Sequence, residues 1–154
     1  MIRQREQGFS LVEVILALGI LAGVLISIAG LFIMGSKQVK SGRTSTEALS
    51  VARAVLEEMD GWGFRQTYQL FGIDGTANTT ATIDTRTDSF STKWQSTLDE
   101  KLFNSHAEIE ISSLGPPGAS VPTLDATKAI RVVVTVFWNE GGRSREVRLG
   151  TVRM

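Results

Sequence analysis

Hydrophobic and polar positions are spread unevenly along the chain, and the pattern changes twice. From Phe9 to Met34 the sequence FSLVEVILALGILAGVLISIAGLFIM carries one ionisable side chain, Glu13. As a helix rising about 1.5 Å per residue this run is roughly 39 Å long, more than a hydrocarbon layer of about 30 Å, and it reads as a transmembrane segment. A cleaved secretory signal is the competing assignment. Such signals have apolar regions of only about 7 to 15 residues followed by a small-residue cleavage site, so this run is too long for one. Flanking charge leaves orientation open, because Arg3 and Arg5, opposed by Glu6, precede the run while Lys37, Lys40 and Arg43 follow it.

Beyond Met34 the chain becomes polar without meeting a helix breaker. Val39, Leu49, Ala52, Val55, Leu56 and Met59 recur at spacings of three and four, which predicts an amphipathic helix with one buried stripe. Gly61 and Gly63 close it. The apolar run and this segment together predict one long helix from about Ser10 to about Met59. The stretch 72–97 is rich in Thr, Ser, Asp, Asn and Gly and predicts mostly loop, with a short strand over Ala81 to Thr87.

The second half alternates in the manner of strands. Glu108–Ile111 and Glu146–Leu149 set apolar against polar side chains with a period of two, and Ile130-Arg131-Val132 does the same before leading into the β-branched and aromatic run Val133–Trp138. Asn139-Glu140-Gly141-Gly142 offers a glycine turn, so 130–138 and 144–152 predict an antiparallel hairpin. Gly115-Pro116-Pro117-Gly118 and Pro122 keep 114–127 out of any ladder and predict a loop. The expected fold class is α+β: a long N-terminal helix, transmembrane in its first half, packed on a small C-terminal antiparallel sheet.

Composition narrows the chemistry. Sixteen basic and 16 acidic side chains give a formal charge of zero, and no Lys- or Arg-rich block supplies the clustered positive charge that nucleic acid requires. No nucleic-acid partner is predicted. The chain has no cysteine, which excludes disulfides, zinc thiolates and thiol nucleophiles, and one histidine, His106. His106 has Ser105 beside it and Asp99 and Glu108 nearby, but sequence neighbours do not make a triad, so catalysis is disfavoured. Asp74, Asp84 and Asp88 lack the one-in-two spacing and terminal glutamate of a calcium loop and read as solvated turn residues. No metal site and no cofactor is expected.

Glu13 is the anomaly of the apolar run. A carboxylate at mid-bilayer costs roughly 2.5 to 3.5 kcal/mol even on lenient insertion scales, so an intramembrane acid marks function unless it snorkels to the interface. No basic residue follows it within a turn or two, and Arg3 and Arg5 lie on the polar side of Gly8 and Phe9. Gly19 and Gly23 form a G-x-x-x-G, which lets helices approach closely, and Gly30 is a third candidate for helix packing.

The block that opens the chain resembles a known signal. MIRQREQG is a short charged leader ending in glycine, and Phe9-Ser10-Leu11-Val12-Glu13-Val14 leads into about twenty apolar residues. Leader length, glycine, phenylalanine and a glutamate four residues later closely resemble the class III signal of type IV prepilins and type II secretion pseudopilins. That resemblance implies cleavage between Gly8 and Phe9 by the prepilin peptidase, N-methylation of Phe9, and pairing of Glu13 with the amino terminus of a neighbouring subunit. It divides the chain into a leader over 1–8, the transmembrane half of the helix over 9–35, its amphipathic half over 36–60 and a globular head over 61–154. The C-terminal hairpin, with Trp138, the glycine turn and Val147-x-Leu149-x-Thr151-Val152, resembles that of PilV-type minor pilins and I-type pseudopilins. The expected function is a minor pilin that helps initiate or cap assembly of a type IV pilus; the alternative is an I-type pseudopilin of a type II secretion system. Expected partners are other minor and major pilins, the prepilin peptidase, the membrane, and the inner-membrane platform with its assembly ATPase. The expected location is the bacterial inner membrane, with the head facing the periplasm, and the pilus or pseudopilus after assembly.

Overall fold

The computed structural model describes residues 8–73, 78–115, 120, 122–124 and 126–154. Met1–Gln7 of the expected leader, Asp74 and the Pro116-Pro117 pair lie outside them. The elements in chain order are α1 (Leu11–Asp60), α2 (Phe64–Leu70), β1 (Thr80–Asp84), a single 3-10 turn (Ser89–Ser91), α3 (Thr92–Lys101), β2 (His106–Ser113), β3 (Ile130–Glu140) and β4 (Arg143–Arg153). The chain divides into two compact units, one ending at Lys40 and the other running Ser41–Met154.

In the second unit, α1 lies on a four-stranded antiparallel sheet of order β1-β2-β3-β4, so the fold is α+β. The helix buries Ala48, Val51, Ala52, Val55 and Met59, spaced three and four apart. This corrects the expected stripe: Leu49 is 42% exposed whereas Ala48 is 0% exposed, and Val39 is 74% exposed. Ala48 and Ala52 are small, so the helix backbone can come close to the sheet along their row. A stripe judged by side-chain bulk picks the leucine one position, or about 100°, around the helix. Leu56, by contrast, is half-buried against the core as expected.

The helix ends where the glycines stand. Gly61 N–H donates to Glu58 C=O at 3.2 Å and Trp62 N–H to Met59 C=O at 3.0 Å, tightening the last turn. Both ends of the 41–60 segment are tied to the hairpin by polar contacts. Ser41 Oγ donates to Glu140 at 2.9 Å and Thr44 Oγ1 donates to it at 3.3 Å, while Arg153 pairs with Asp60 at 3.4 Å and donates to the Asp60 carbonyl at 3.2 Å. These contacts fix the register of helix on sheet at its two ends, where packing alone would permit sliding.

The hairpin is tighter than its sequence suggests. Glu140 pairs directly with Arg143, leaving Gly141 and Gly142 as a two-residue turn with φ of +59° and +78°. Two consecutive positive φ values match the right-handed twist of the strands and favour glycine at both positions. Ile83, Ile109, Val134 and Leu149 are aligned across the four strands in one row of the core face. β1 ends at Asp84, three residues before the expected strand end at Thr87. The Thr87 and Asp88 amides both donate to the Asp84 carbonyl, at 3.0 and 3.2 Å, and turn the chain there. The 114–127 connector contains no strand among its described residues, and it buries Leu124 completely.

One helix lies at 64–70, where no element was expected, and another lies largely within the expected loop over 72–97. α2 follows Gly63 and buries Thr67, whose hydroxyl donates to the Gly63 carbonyl at 3.2 Å. α3 occupies 92–101, predicted as loop over most of its length, and is held by Trp94 and Leu98, one turn apart and both buried. Trp94 stacks on Trp62 with centroids 5.9 Å apart and meets Phe90 edge-on at 6.0 Å. Its indole N–H donates to Glu58 at 2.8 Å, and Lys93 pairs with the same carboxylate, so α3 is fastened to α1.

Burial pushes the Glu58 carboxyl up, but the hydrogen bonds from Lys93 and Trp94, with the Lys93 charge, outweigh it and leave Glu58 below its ordinary value of 4.5. A carboxyl depressed in the folded state stabilises above its unfolded pKa, and that contribution is lost as pH falls through the folded value. Glu58→Gln is therefore expected to lower stability by about 0.5 to 1 kcal/mol at pH 7 and to flatten the loss of stability below about pH 4.5. Thermal melts at pH 7 and pH 3.5 check this; an unchanged acid slope in the variant refutes it.

Candidate functional site

The N-terminal unit presents apolar surface on every side. From Gly8 through Lys40 each residue is exposed, Phe9 at 81%. A helix that is hydrophobic all round and uncovered by its own chain calls for lipid or other helices as its surroundings. By length and composition it suffices to cross a membrane.

Gly8, Phe9 and Ser10 precede this helix without regular structure, and all three are exposed. A Cβ built on Gly8 meets nothing within 4 Å. Helix formation begins at Leu11, and the Ser10 carbonyl accepts from the Glu13 amide at 3.0 Å and the Val14 amide at 3.2 Å. Serine at this position is a favoured cap, and it separates the Gly8–Phe9 peptide from the helix. Glu13 therefore stands in the first turn, where the unpaired amides of the helix end favour a negative charge. Its carboxylate makes no hydrogen bond or ion pair among the described residues, so any partner for it must come from elsewhere.

Gly19, Gly23 and Gly30 lie within unbroken helix, and a Cβ on any of them would meet open space. Gly19 and Gly23 are one turn apart. Ser27, one turn further on, donates its hydroxyl to the Gly23 carbonyl at 2.9 Å and so presents little more than a small side chain. These residues form a strip along which a second helix backbone can approach closely. Ser27 belongs to the strip by the same four-residue spacing, and that spacing is the signal that adds it to the glycines.

In the head, Ser105, Asp99 and His106 each engage other partners. The Ser105 hydroxyl donates to Leu102 C=O at 3.4 Å, Asp99 accepts from Gln95 at 2.8 Å, and His106 stacks on Phe137 with centroids 4.9 Å apart. No hydrogen bond joins Ser105, His106 and Asp99 among the described residues. Asp84 and Asp88 shape the turn after β1: Asp88 accepts from the Asp84 amide at 3.1 Å, and Asp84 accepts from the Arg86 amide at 2.9 Å. The Arg86 side chain also donates to Asp84, at 2.6 Å from Nη2. These bonds, opposed by partial burial and aided by the Arg86 and His106 charges, hold the Asp84 carboxyl below its ordinary range. What sequence reasoning did not reach is that Asp84, His106 and Glu108 come together, because the grouping depends on strand register.

No family model matches the chain, and neither a curated protein nor a solved structure matches it. The case for function accordingly rests on the residues and their placement.

Proposed function

We propose that this chain is a minor pilin of a type IV pilus, one that helps initiate or cap assembly. The observation that carries the reading is the Gly8-Phe9 junction with Glu13 four residues beyond it, at the head of an uncovered apolar helix whose far half is built into an α+β head. In this reading the prepilin peptidase cuts the exposed peptide between Gly8 and Phe9, Phe9 is N-methylated, and the new amino terminus meets the Glu13 carboxylate of a neighbouring subunit. The helix holds the chain in the inner membrane, head in the periplasm, until the platform and its ATPase transfer it into a bundle of like helices. Lipid tails and neighbouring apolar helices are similarly apolar, so hydrophobicity contributes little to that transfer. Close packing along Gly19, Gly23 and Gly30 and the Glu13 charge pair then select the register. The protein's work is assembly rather than catalysis, and it calls for no cofactor.

The alternative, an I-type pseudopilin of a type II secretion system, is supported by the same junction and by the C-terminal hairpin of β3 and β4. The two differ in what is lost when the gene is disrupted: surface pili in one case, secreted enzymes in the other.

Processing provides the direct test. Gly8 has no side chain to collide with a narrow protease subsite, so Gly8→Arg is expected to leave the full precursor in the membrane fraction, with cleavage reduced at least about a hundredfold, the scale on which misplacement by about an ångström acts. Intact mass of the native protein should begin at Phe9 and carry one added methyl group. A native protein that retains Met1–Gly8, or a Gly8→Arg protein that begins at Phe9, would overturn the reading.

A further inference from the structure

The face of the sheet that turns away from α1 carries a cluster that the assembly reading does not use. Asp84, the last residue of β1, is the direct cross-strand partner of Glu108 on β2. His106 lies two residues before Glu108 and so projects from the same face. One ligand atom from each of the three side chains, an imidazole nitrogen and two carboxylate oxygens, lies within 4.8 Å of the others. Asp84 and His106 are half-buried and Glu108 is exposed.

From this juxtaposition we propose a binding site for a divalent transition ion of the zinc class, held by Asp84, His106 and Glu108 with its remaining coordination open to solvent. The donor set selects the class of ion. An imidazole nitrogen suits zinc and its neighbours, whereas calcium and magnesium prefer all-oxygen surroundings. Metal–ligand bonds of about 2.0 to 2.2 Å put neighbouring ligand atoms about 3 to 3.5 Å apart, so the three must close in by roughly an ångström. Glu108 is exposed, which leaves its side chain room to rotate toward the other two. The imidazole is held in place by its cross-strand neighbour Phe137, on which it stacks at 4.9 Å with planes 16° apart. Two paired strands fix the ligand backbones, which makes the site one of sheet geometry rather than loop chance.

Arg86 occupies the charge position that the metal would take. Two carboxylates directly opposite one another across strands destabilise a sheet unless a cation lies between them. Arg86 answers both: its Nε donates to Asp84 at 3.2 Å and Nη2 at 2.6 Å, and its charge acts on Glu108 as well. The next cation on this face, Arg148, is two strands from Glu108 and donates to Thr135 at 3.3 Å. A bound divalent ion therefore displaces the Arg86 guanidinium, which lowers affinity without abolishing the site. A simple surface ion pair makes the opposite prediction, because the arginine would then be the sole business of the cluster.

His106 is the chain's one histidine, so its ring signals are unambiguous. The test uses the untagged full chain in detergent, labelled at histidine, titrated with zinc chloride and separately with magnesium chloride, with calorimetry for variants lacking the probe. Zinc is expected to shift the His106 ring resonances saturably at one equivalent, and magnesium to leave them unmoved. Asp84→Asn, Glu108→Gln and His106→Gln should each weaken zinc binding at least about tenfold, while Arg86→Gln should tighten it by about threefold or more. Circular dichroism of the variants guards against misfolding, and the gain in Arg86→Gln cannot come from a damaged fold. No saturable shift with zinc, a shift untouched by Asp84→Asn and Glu108→Gln, or no gain in Arg86→Gln would each overturn the site.

Discussion

Aspartate in place of Ala48 is expected to unfold the head, whereas aspartate in place of its neighbour Leu49 is expected to leave it folded. Ala48 is completely buried between α1 and the sheet, on the row it shares with Ala52 and Val55. A carboxylate placed there enters the apolar core cluster, and burying an unpaired charge costs several kcal/mol, about 4 or more. Domains of this size have only about 5 to 15 kcal/mol of net stability. Leu49 is 42% exposed, so its replacement changes stability by about 0.5 kcal/mol or less. Side-chain hydrophobicity alone predicts the reverse order, which makes the pair decisive for the observed helix face. A piece starting near Lys37, which leaves out the apolar run and retains the Ser41–Met154 unit, is expected to be soluble without detergent and to melt cooperatively. In that piece Ala48→Asp should abolish the melting transition and the near-ultraviolet signal, and Leu49→Asp should shift the midpoint by only about 2 to 4 °C. Cooperative melting in Ala48→Asp near the native midpoint would refute the packing described.

That contrast shows where the sequence was readable and where it was not. The long helix and the β3–β4 hairpin were legible because the helix joins a long apolar run to residues spaced three and four apart, because the strands are long and rich in β-branched residues, and because glycines stand at their ends: Gly61 after the helix, Gly141 and Gly142 in the turn. The face of the helix was half-legible. Ala52, Val55 and Met59 were assigned correctly, but alanine carries a weak hydrophobic signal, and only the distance to the sheet reveals that Ala48 faces inward. α3 was hidden by its composition. Thr92–Lys101 is mostly polar, and two anchors, Trp94 and Leu98, cannot be told from loop residues until Glu58 and Trp62 are seen to receive Trp94. Local propensity there is overridden by tertiary contacts. β1 is short and its end is set by the Asp84–Asp88 turn, which a count of β-branched residues does not register.

Sites differ in the same way. The proposed site at Gly8, Phe9 and Glu13 is a linear motif, so it can be read from sequence alone, and the structure adds that Gly8 and Phe9 are exposed and that Glu13 stands in the first turn of a helix. The Asp84–His106–Glu108 cluster is not linear. It requires the pairing of Asp84 with Glu108 across two strands separated by the whole of α3, and shifting that register by one residue would send Asp84 to the other face. Spacing along the chain hints at His106 and Glu108, two apart on one strand, but carries no trace of Asp84.

Under the proposed assembly function, Glu13→Gln is expected to leave the protein processed and membrane-bound but unable to join the pilins that function requires. The substitution retains size and hydrogen-bonding capacity while removing the charge, so it isolates electrostatics from shape. In the assembly reading, the neighbour's amino terminus is a cation that must enter an apolar helix bundle, and one carboxylate per subunit is available to meet it. Removing one member of such a pair leaves the other charge buried and alone, at a cost of about 3 to 5 kcal/mol, or at least about a hundredfold in docking. Cleavage should persist, because the Gly8–Phe9 peptide precedes the helix and does not involve the Glu13 carboxylate. Insertion should persist as well, since a neutral amide enters lipid more easily than a carboxylate. Three measurements separate these steps: intact mass for cleavage, alkaline extraction of membranes for insertion, and co-purification with the pilins of the proposed assembly for docking. The expected outcome is a native mass, native membrane retention, loss of co-purification and fewer surface pili, with Glu13→Asp recovering part of the binding because the charge returns on a shorter arm. Native co-purification and piliation in Glu13→Gln would make the residue an acid of the membrane interface that pairs with nothing, and the charge-pair account of assembly would fall.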